Sequence, residues 1–99
     1  MSVHEKLEVL KQTYVDEDQF GRLLDKLMAM ILTQHRVRLT RYNQELTQFE
    51  QKFKIDSEMF YQRFQTGELG DSIDFFEWAG LYELRQDLMQ KAAQLELQR

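Results

Sequence analysis

Apolar or semi-apolar side chains recur every three or four residues through the middle of the chain, which is the spacing of one face of an α-helix. The residues of this stripe are Phe20, Leu24, Leu27, Ile31, His35, Leu39, Tyr42, Leu46, Phe49 and Phe53. Asp16 precedes the stripe and can cap a helix through its carboxylate. The pattern predicts one helix over residues 17–54, about 57 Å long at 1.5 Å per residue.

Shorter helical patterns stand on both sides of this long helix. Residues 2–12 carry apolar side chains at helical spacing and predict a short N-terminal helix. A second short helix is predicted over 57–66, where Gly67 provides the left-handed stop and Gly70 permits another tight turn. A last helix is predicted over 74–98. Its apolar stripe consists of Trp78, Leu81, Leu84, Leu88, Ala92 and Leu95.

Polar residues that favour helix starts precede the last two helices. Ser57 is the predicted N-cap of the short helix. Asp74 is the predicted N-cap of the last helix, and Glu77 follows it at the third position, as in a capping box. These residues place the two predicted helix starts on either side of the glycine turn.

The predicted fold is all-α and forms a single helical domain over residues 1–99. The long and last helices are expected to form a long antiparallel, coiled-coil-like hairpin, joined by the short helix and the glycine turn. Because the last helix is shorter, it leaves the N-terminal half of the long helix uncovered. A dimeric helical bundle would bury this surface, with Leu24, Leu27 and Ile31 at the dimer seam. In the alternative, the N-terminal helix folds back over it in a monomer.

Composition narrows the class of protein. Of the 99 residues, 42% are hydrophobic and 30% are charged, which fits a globular or coiled-coil chain. Cysteine and proline are both absent, so the chain has neither disulfides nor proline breaks in its helices. The longest apolar run, 27–32, is too short to cross a bilayer. We expect a cytoplasmic protein without a membrane span.

Charge is unevenly distributed along the chain. Acidic residues are absent from the stretch between Lys26 and Gln44. A basic patch in that stretch comprises His35, Arg36, Arg38 and Arg41. It could contact nucleic acid, pair with an acidic surface, or be a solvated face. The formal net charge of -4 disfavours nucleic-acid binding by this chain alone.

Aromatic residues and glycines concentrate in residues 57–84. Most of these aromatics follow helical stripes and predict core packing. Tyr61 and Phe76 lie off those stripes and are candidates for an exposed contact surface. Together with Glu68 and Asp71 of the turn, they form the predicted partner-binding site.

The sequence shows no catalytic constellation and no pair of histidines at metal-ligand spacing. His4 and His35 are the only histidines, and their separation does not fit a pair of ligands on one helical face. Asp71, Asp74 and Glu77 could chelate a hard cation, but helix capping is the simpler explanation for all three. We therefore expect a non-enzymatic protein with no cofactor and no metal site.

The aromatic segment also resembles a known family. Residues 60–83 read Phe-Tyr-x-x-Phe-x-x-Gly-Glu-Leu-Gly-Asp-x-x-Asp-Phe-Phe-Glu-Trp-x-x-Leu-Tyr-Glu. With the preceding residues from Phe49, this motif resembles small uncharacterised helical proteins of bacteria and archaea, often encoded in toxin-antitoxin-like operons. Lys54 and Ile55 stand where the family pattern has Gly-Met. The resemblance implies a prokaryotic cytoplasmic protein that sequesters a toxin, and it implies no catalytic residues.

Three functions follow as hypotheses. The first is an antitoxin-like interaction module that neutralises a cognate protein through the aromatic and acidic turn region. The second is a structural coiled coil that only self-associates. The third is a small DNA- or RNA-binding regulator that uses Arg36, Arg38 and Arg41.

Overall fold

The fold is known from a computed structural model that describes residues 1–14 and 16–98. All regular structure in these residues is α-helical, so the all-α prediction is confirmed. The four helices are α1 (Val3–Thr13), α2 (Glu17–Phe53), α3 (Ser57–Gln65) and α4 (Ile73–Leu97). Each predicted range differs from its helix by at most one residue at either end.

α2 runs without a break over 37 residues because no proline or glycine interrupts it after its first turns. The Asp16 carboxylate accepts hydrogen bonds from the amides of Asp18 and Gln19, as an N-cap does. At the other end, Lys54 caps the helix in the left-handed conformation, with φ 60° and ψ 39°. The chain turns sharply there although the position holds no glycine.

α3 is short and its first residues are tightly held. Asp56, and not Ser57 as the sequence suggested, is its N-cap and accepts a hydrogen bond from the amide of Met59. Ser57 is instead buried in the first turn, where its hydroxyl accepts a 3.0 Å bond from the Trp78 indole. α3 stops at Gly67, which has a φ of 81° that only glycine adopts easily.

α4 begins one residue before the predicted start. Its N-cap is Ser72, whose side chain makes no capping bond, so the predicted capping box of Asp74 and Glu77 is wrong. The reason is that Asp74 pairs with Lys52 of α2, at 2.8 Å from its ammonium nitrogen. The Asp74 carboxylate, predicted from local sequence to cap α4, forms an ion pair with another helix instead.

α4 packs along the C-terminal half of α2. Asp74 pairs with Lys52 near one end, and Arg85 donates a 3.2 Å hydrogen bond to Asn43 in the middle. Glu96 forms an ion pair with Arg36 further along. As residue numbers increase along α4 from Asp74 to Glu96, the numbers of their partners on α2 decrease from Lys52 to Arg36. This is the order of contacts found between antiparallel helices.

Aromatic rings fill the corner where α2, α3 and α4 meet. The Trp78 ring is fully buried and stacks on Phe60, with centroids 3.7 Å apart and planes 4° apart. Phe49 and Phe53 of α2 stack nearby on the same indole, at 5.5 and 5.6 Å. The buried residues of this core are Leu46, Phe60, Trp78, Ala79 and Tyr82. The core thus lies at the end of the molecule where three helices converge.

The other end has little core. Every residue from 1 to 14 is exposed, and Tyr14 contacts the buried Phe20 at a ring distance of 5.3 Å. Four large apolar side chains of α2 remain 41–59% exposed, namely Leu23, Leu27, Met30 and Ile31. α1 does not cover them, so the fold-back arrangement is not the one observed.

Candidate functional site

A groove of about 830 Å³ lies between α2 and α4, next to the aromatic corner. Its lining comprises Glu45, Gln48, Phe49, Phe76, Glu77, Gly80, Leu81, Glu83, Leu84 and Asp87. Phe49 and Leu81 also pack against the buried core, so the floor of the groove is continuous with the core. We refer to this site as the acidic groove.

The position of the acidic groove follows from the helical spacing of α4. Phe76, Gly80, Leu84 and Asp87 succeed one another at steps of four, four and three residues, which is a single helical face. The face is turned away from Trp78, and Gly80 contributes no side chain to it. A depression between the two helices results.

Phe76 is the principal exposed ring of the acidic groove. Its side chain is 57% exposed, although its edge contacts Phe64 in a T-shaped arrangement at 5.5 Å. Leu84 lines the same groove and is 54% exposed. A partner that covered both side chains would remove a continuous apolar surface from water.

The rim of the groove is acidic. Glu45, Glu77, Glu83 and Asp87 line it, and no basic side chain is found among the described residues of the lining. Carboxylates around an apolar floor create a negative potential where a partner would enter. The groove is therefore suited to a partner surface that is apolar in the centre and basic at its edge.

Tyr61 of the predicted partner-binding set does not line the acidic groove. Its ring is half-buried and stacks on Tyr82 at 4.6 Å, and its hydroxyl donates a 2.5 Å hydrogen bond to the Glu83 carboxylate. That bond, followed by partial burial and the negative charge of Glu83, raises the pKa of Tyr61 above its ordinary value. Tyr61 thus orients the Glu83 carboxylate of the rim, although Tyr61 itself lies outside the groove lining.

Glu68 and Asp71, the other predicted partner-binding residues, lie exposed in the connection between α3 and α4. The amide of Glu68 bonds back to the carbonyl oxygen of Arg63, which closes the end of α3. Neither residue is part of the groove lining. Of the four predicted residues, the structure places only Phe76 in the groove.

The predicted basic patch is divided between two sides of α2. His35 is half-buried in a shallow depression beside α4, and Arg36 pairs with Glu96. Arg38 and Arg41 instead lie together on an exposed face that also includes Val37. The structure therefore does not bring the four residues into one surface.

The predicted dimer seam is partly accessible. Leu27 and Ile31 are 46% and 41% exposed. Leu24 is half-buried and lies on a neighbouring face of α2. The exposed stripe is completed by Leu23 and Met30, which the sequence-based set did not include.

Sequence reasoning missed most of the groove. Leu84 was assigned to the core stripe of α4, yet it is exposed because α2 contacts only one side of α4. Glu45 and Asp87 lie on different helices, and no local pattern shows that they meet. The four-residue steps from Phe76 to Leu84 are the one sequence signal that could have indicated this face.

Within residues 1–14 and 16–98, no three His, Asp or Glu side chains converge in a way that could hold a metal ion. In the same residues, no helix combines the length and the apolar character needed to cross a bilayer. Comparison with protein-family models, curated proteins and solved structures found no match to this chain.

Proposed function

We propose that this protein is a non-enzymatic protein-protein interaction module and that its partner binds in the acidic groove. The observation that carries this proposal is Phe76, which is 57% exposed at the edge of a groove with an apolar floor. Binding energy at protein interfaces concentrates in a few aromatic side chains that enter or form pockets. Phe76 has the chemistry and the position of such a residue.

The groove is well prepared for binding because its apolar parts are already held in place. Phe76 rests against Phe64, and Phe49 and Leu81 are partly buried and pack against the core. Side chains that are ordered before binding lose little conformational entropy when a partner arrives. The groove is therefore preformed, and binding of a partner would not have to order its side chains.

Charge supports a basic partner. Four carboxylates surround the groove, and the whole chain has a formal net charge of -4. Opposite charge on a partner would speed association and favour it over acidic competitors. The Arg or Lys residues of such a partner would surround an apolar centre that covers Phe76 and Leu84.

The partner we propose is the basic, RNA-facing surface of a toxin, which makes this chain an antitoxin-like protein of the prokaryotic cytoplasm. The family resemblance of the aromatic segment supports this choice, and the acidic rim supplies the required charge. Neutralisation would occur by occlusion, since a bound antitoxin would hide the surface that the toxin uses. No catalytic group of this chain is needed.

Replacing Phe76 by alanine tests the proposal. The variant should bind the protein encoded by the neighbouring gene at least ~10-fold more weakly, because an aromatic interface anchor contributes about 1.4 kcal/mol or more. Affinity can be measured by calorimetry after co-expression establishes the complex. In a growth assay, the same variant should protect cells from the neighbouring gene product less well.

Ile73→Ala is the matched control. Ile73 lies on the first turn of the same helix and is 75% exposed, but it is outside the groove lining. Its replacement should leave affinity and protection unchanged. Equal effects of both replacements, or a neighbouring gene product that forms no complex with the unaltered chain, would contradict the proposal.

Self-association is a second candidate function, in which a coiled-coil-like helical hairpin pairs into a dimeric bundle. The observation that favours it is the exposed stripe of Leu23, Leu27, Met30 and Ile31. Full burial of one such side chain is worth about 1.5–3 kcal/mol, and roughly half of that remains to be gained at each position. Sedimentation equilibrium tests it by distinguishing the 12.0 kDa monomer from a species of twice that mass.

A further inference from the structure

The N-terminal half of α2 presents one exposed apolar face. Leu23, Leu27 and Met30 follow one another at steps of four and three residues, and Ile31 lies one helical turn beyond Leu27. Their side chains are 42%, 46%, 59% and 41% exposed. Ile31 borders the end of α4, because it lines a shallow depression together with Leu95 and Gln98, and the face extends from there toward the start of α2.

The charges at the two ends of this face are opposite and evenly placed. Asp16 and Arg38 lie eleven residues before and after Leu27. Eleven residues are close to three helical turns of about 3.6 residues, so Arg38 aligns with Leu27 on one side of α2. Asp16 is the N-cap of α2, and its carboxylate accepts hydrogen bonds from the amides of Asp18 and Gln19, so the acidic end of the face is the start of the helix. Asp16 and Arg38 are exposed. The face is therefore acidic at one end, apolar in the middle and basic at the other end.

We propose that a second copy of this chain docks on this face, with the two α2 helices antiparallel and the two-fold axis passing beside Leu27. This proposal rests on the self-association described above. The arrangement places Leu23 opposite the second copy's Ile31 and Asp16 opposite the second copy's Arg38. Both ends of the face are then paired with opposite charge, and the contact closes upon itself as a two-fold interface.

The charges select this direction of pairing. In a parallel arrangement, Arg38 would face the second copy's Arg38, and Asp16 would face the second copy's Asp16. Like charges across an interface disfavour the pairing, whereas opposite charges fix its register. The antiparallel contact ends near Arg38, before Glu45 and Phe49 of the acidic groove. Each dimer would thus keep two accessible grooves.

Cysteine cross-linking can determine which residues of the two α2 helices lie opposite each other, because the chain has no cysteine of its own. Three single-cysteine variants of the 99-residue chain are needed, Leu23→Cys, Leu27→Cys and Ile31→Cys. Oxidised alone, Leu27→Cys should form a covalent dimer on a non-reducing gel, since the two thiols meet at the axis. Leu23→Cys and Ile31→Cys should each stay uncrosslinked alone and should cross-link when they are mixed.

The geometry behind this expectation is simple. Disulfides form when the two Cα atoms lie about 4.4–6.8 Å apart. Two copies of position 23 would be separated by about 12 Å along the helix axis, because each lies four residues from the two-fold axis. Ile73→Cys, at a 75% exposed position outside the face, reports cross-linking by random collision.

Each other outcome overturns the proposal. Efficient cross-linking of all three variants alone would show parallel pairing. A single 12.0 kDa species in sedimentation equilibrium of the unaltered chain, at concentrations up to the millimolar range, would show that no dimer forms. Circular dichroism of each variant confirms that helices are retained. Binding at the acidic groove is measured separately, so a failure here leaves the Phe76 result intact.

Discussion

At the scale of single residues, Ser57 links the start of α3 to the core. Its hydroxyl accepts the hydrogen bond of the Trp78 indole, and its amide donates a 2.8 Å bond to the Glu50 carboxylate. Ser57 is 2% exposed and Trp78 is fully buried, so water cannot replace a lost partner. The buried indole nitrogen therefore depends on one hydroxyl group.

Ser57→Ala should lower the free energy of unfolding by about 1–3 kcal/mol, because it leaves the Trp78 indole without an acceptor. Urea denaturation measures the change. Ser72→Ala is the control, since Ser72 caps α4 without a side-chain hydrogen bond, and its loss should be within about 0.5 kcal/mol. Equal decreases in the free energy of unfolding for the two variants would show that the hydrogen bond between Ser57 and Trp78 adds no stability.

Tyr61 should make stability depend on pH in the alkaline range. Its pKa is raised in the folded protein, so folding favours the protonated phenol. The contribution is fully present below the unfolded-state pKa of about 10 and is lost as pH rises through the higher folded-state value. The stability difference between the unaltered chain and Tyr61→Phe should therefore be constant from pH 8 to about 10 and shrink above it.

Glu83→Gln provides the matched variant for this measurement. It keeps an oxygen that can accept the phenol's hydrogen bond but removes the negative charge that opposes deprotonation. The loss of stability above pH about 10 should then be smaller than in the unaltered chain. A difference between the unaltered chain and Tyr61→Phe that does not change with pH would show that the phenol makes no such contribution.

At the scale of elements, the end of α2 is held in an unfavourable conformation. Lys54 has a φ of 60°, and its amide still donates a 2.8 Å hydrogen bond to the carbonyl oxygen of Glu50. The left-handed conformation costs a side-chain-bearing residue about 1–2 kcal/mol. Packing of Phe53 and Phe60 on either side of this turn keeps the chain in it.

Lys54→Gly should raise the free energy of unfolding by about 0.5–1 kcal/mol, since glycine adopts a positive φ without steric cost. Gln51→Gly, on an exposed position of the same helix, should lower it by up to about 1 kcal/mol. Thermal denaturation of both variants separates the effects. A decrease for Lys54→Gly as large as that for Gln51→Gly would show that the turn carries no strain.

At the scale of the whole molecule, the fold is elongated. Its dimensions are 58 × 24 × 18 Å, and its radius of gyration of 19.3 Å exceeds the value of about 13 Å expected for a compact chain of this length. α2 spans the long dimension, whereas the core occupies one end. Two surfaces result from this shape, the acidic groove beside the core and the apolar face beyond it.

The two proposed surfaces differ in how much packed core lies beneath them. The acidic groove rests on the packed rings of Trp78 and Phe49 and belongs to the stable part of the molecule. The face around Leu27 lies where few side chains are buried, and regions of that kind open most readily. A second copy of the chain would add there the burial that this half of α2 lacks.

The helices were predictable from the sequence because their determinants are local. The apolar stripe from Phe20 to Phe53, the Asp16 cap and the stop at Gly67 require only neighbouring residues. The two cap predictions that were wrong, at Ser57 and Asp74, failed for a common reason. Each of those side chains has a partner on another helix, and that partner is distant in sequence.

The sequence suffices for the four helices, because the apolar stripes, the Asp16 cap and the Gly67 stop depend only on residues a few positions apart. Leu84 faces outward, and Glu45 and Asp87 lie on the rim of one groove, only because of the way the helices pack against one another. A helical pattern establishes which side chains share a face, but packing of α2 against α4 selects the faces that meet. The acidic groove exists because only one side of α4 is used in that contact.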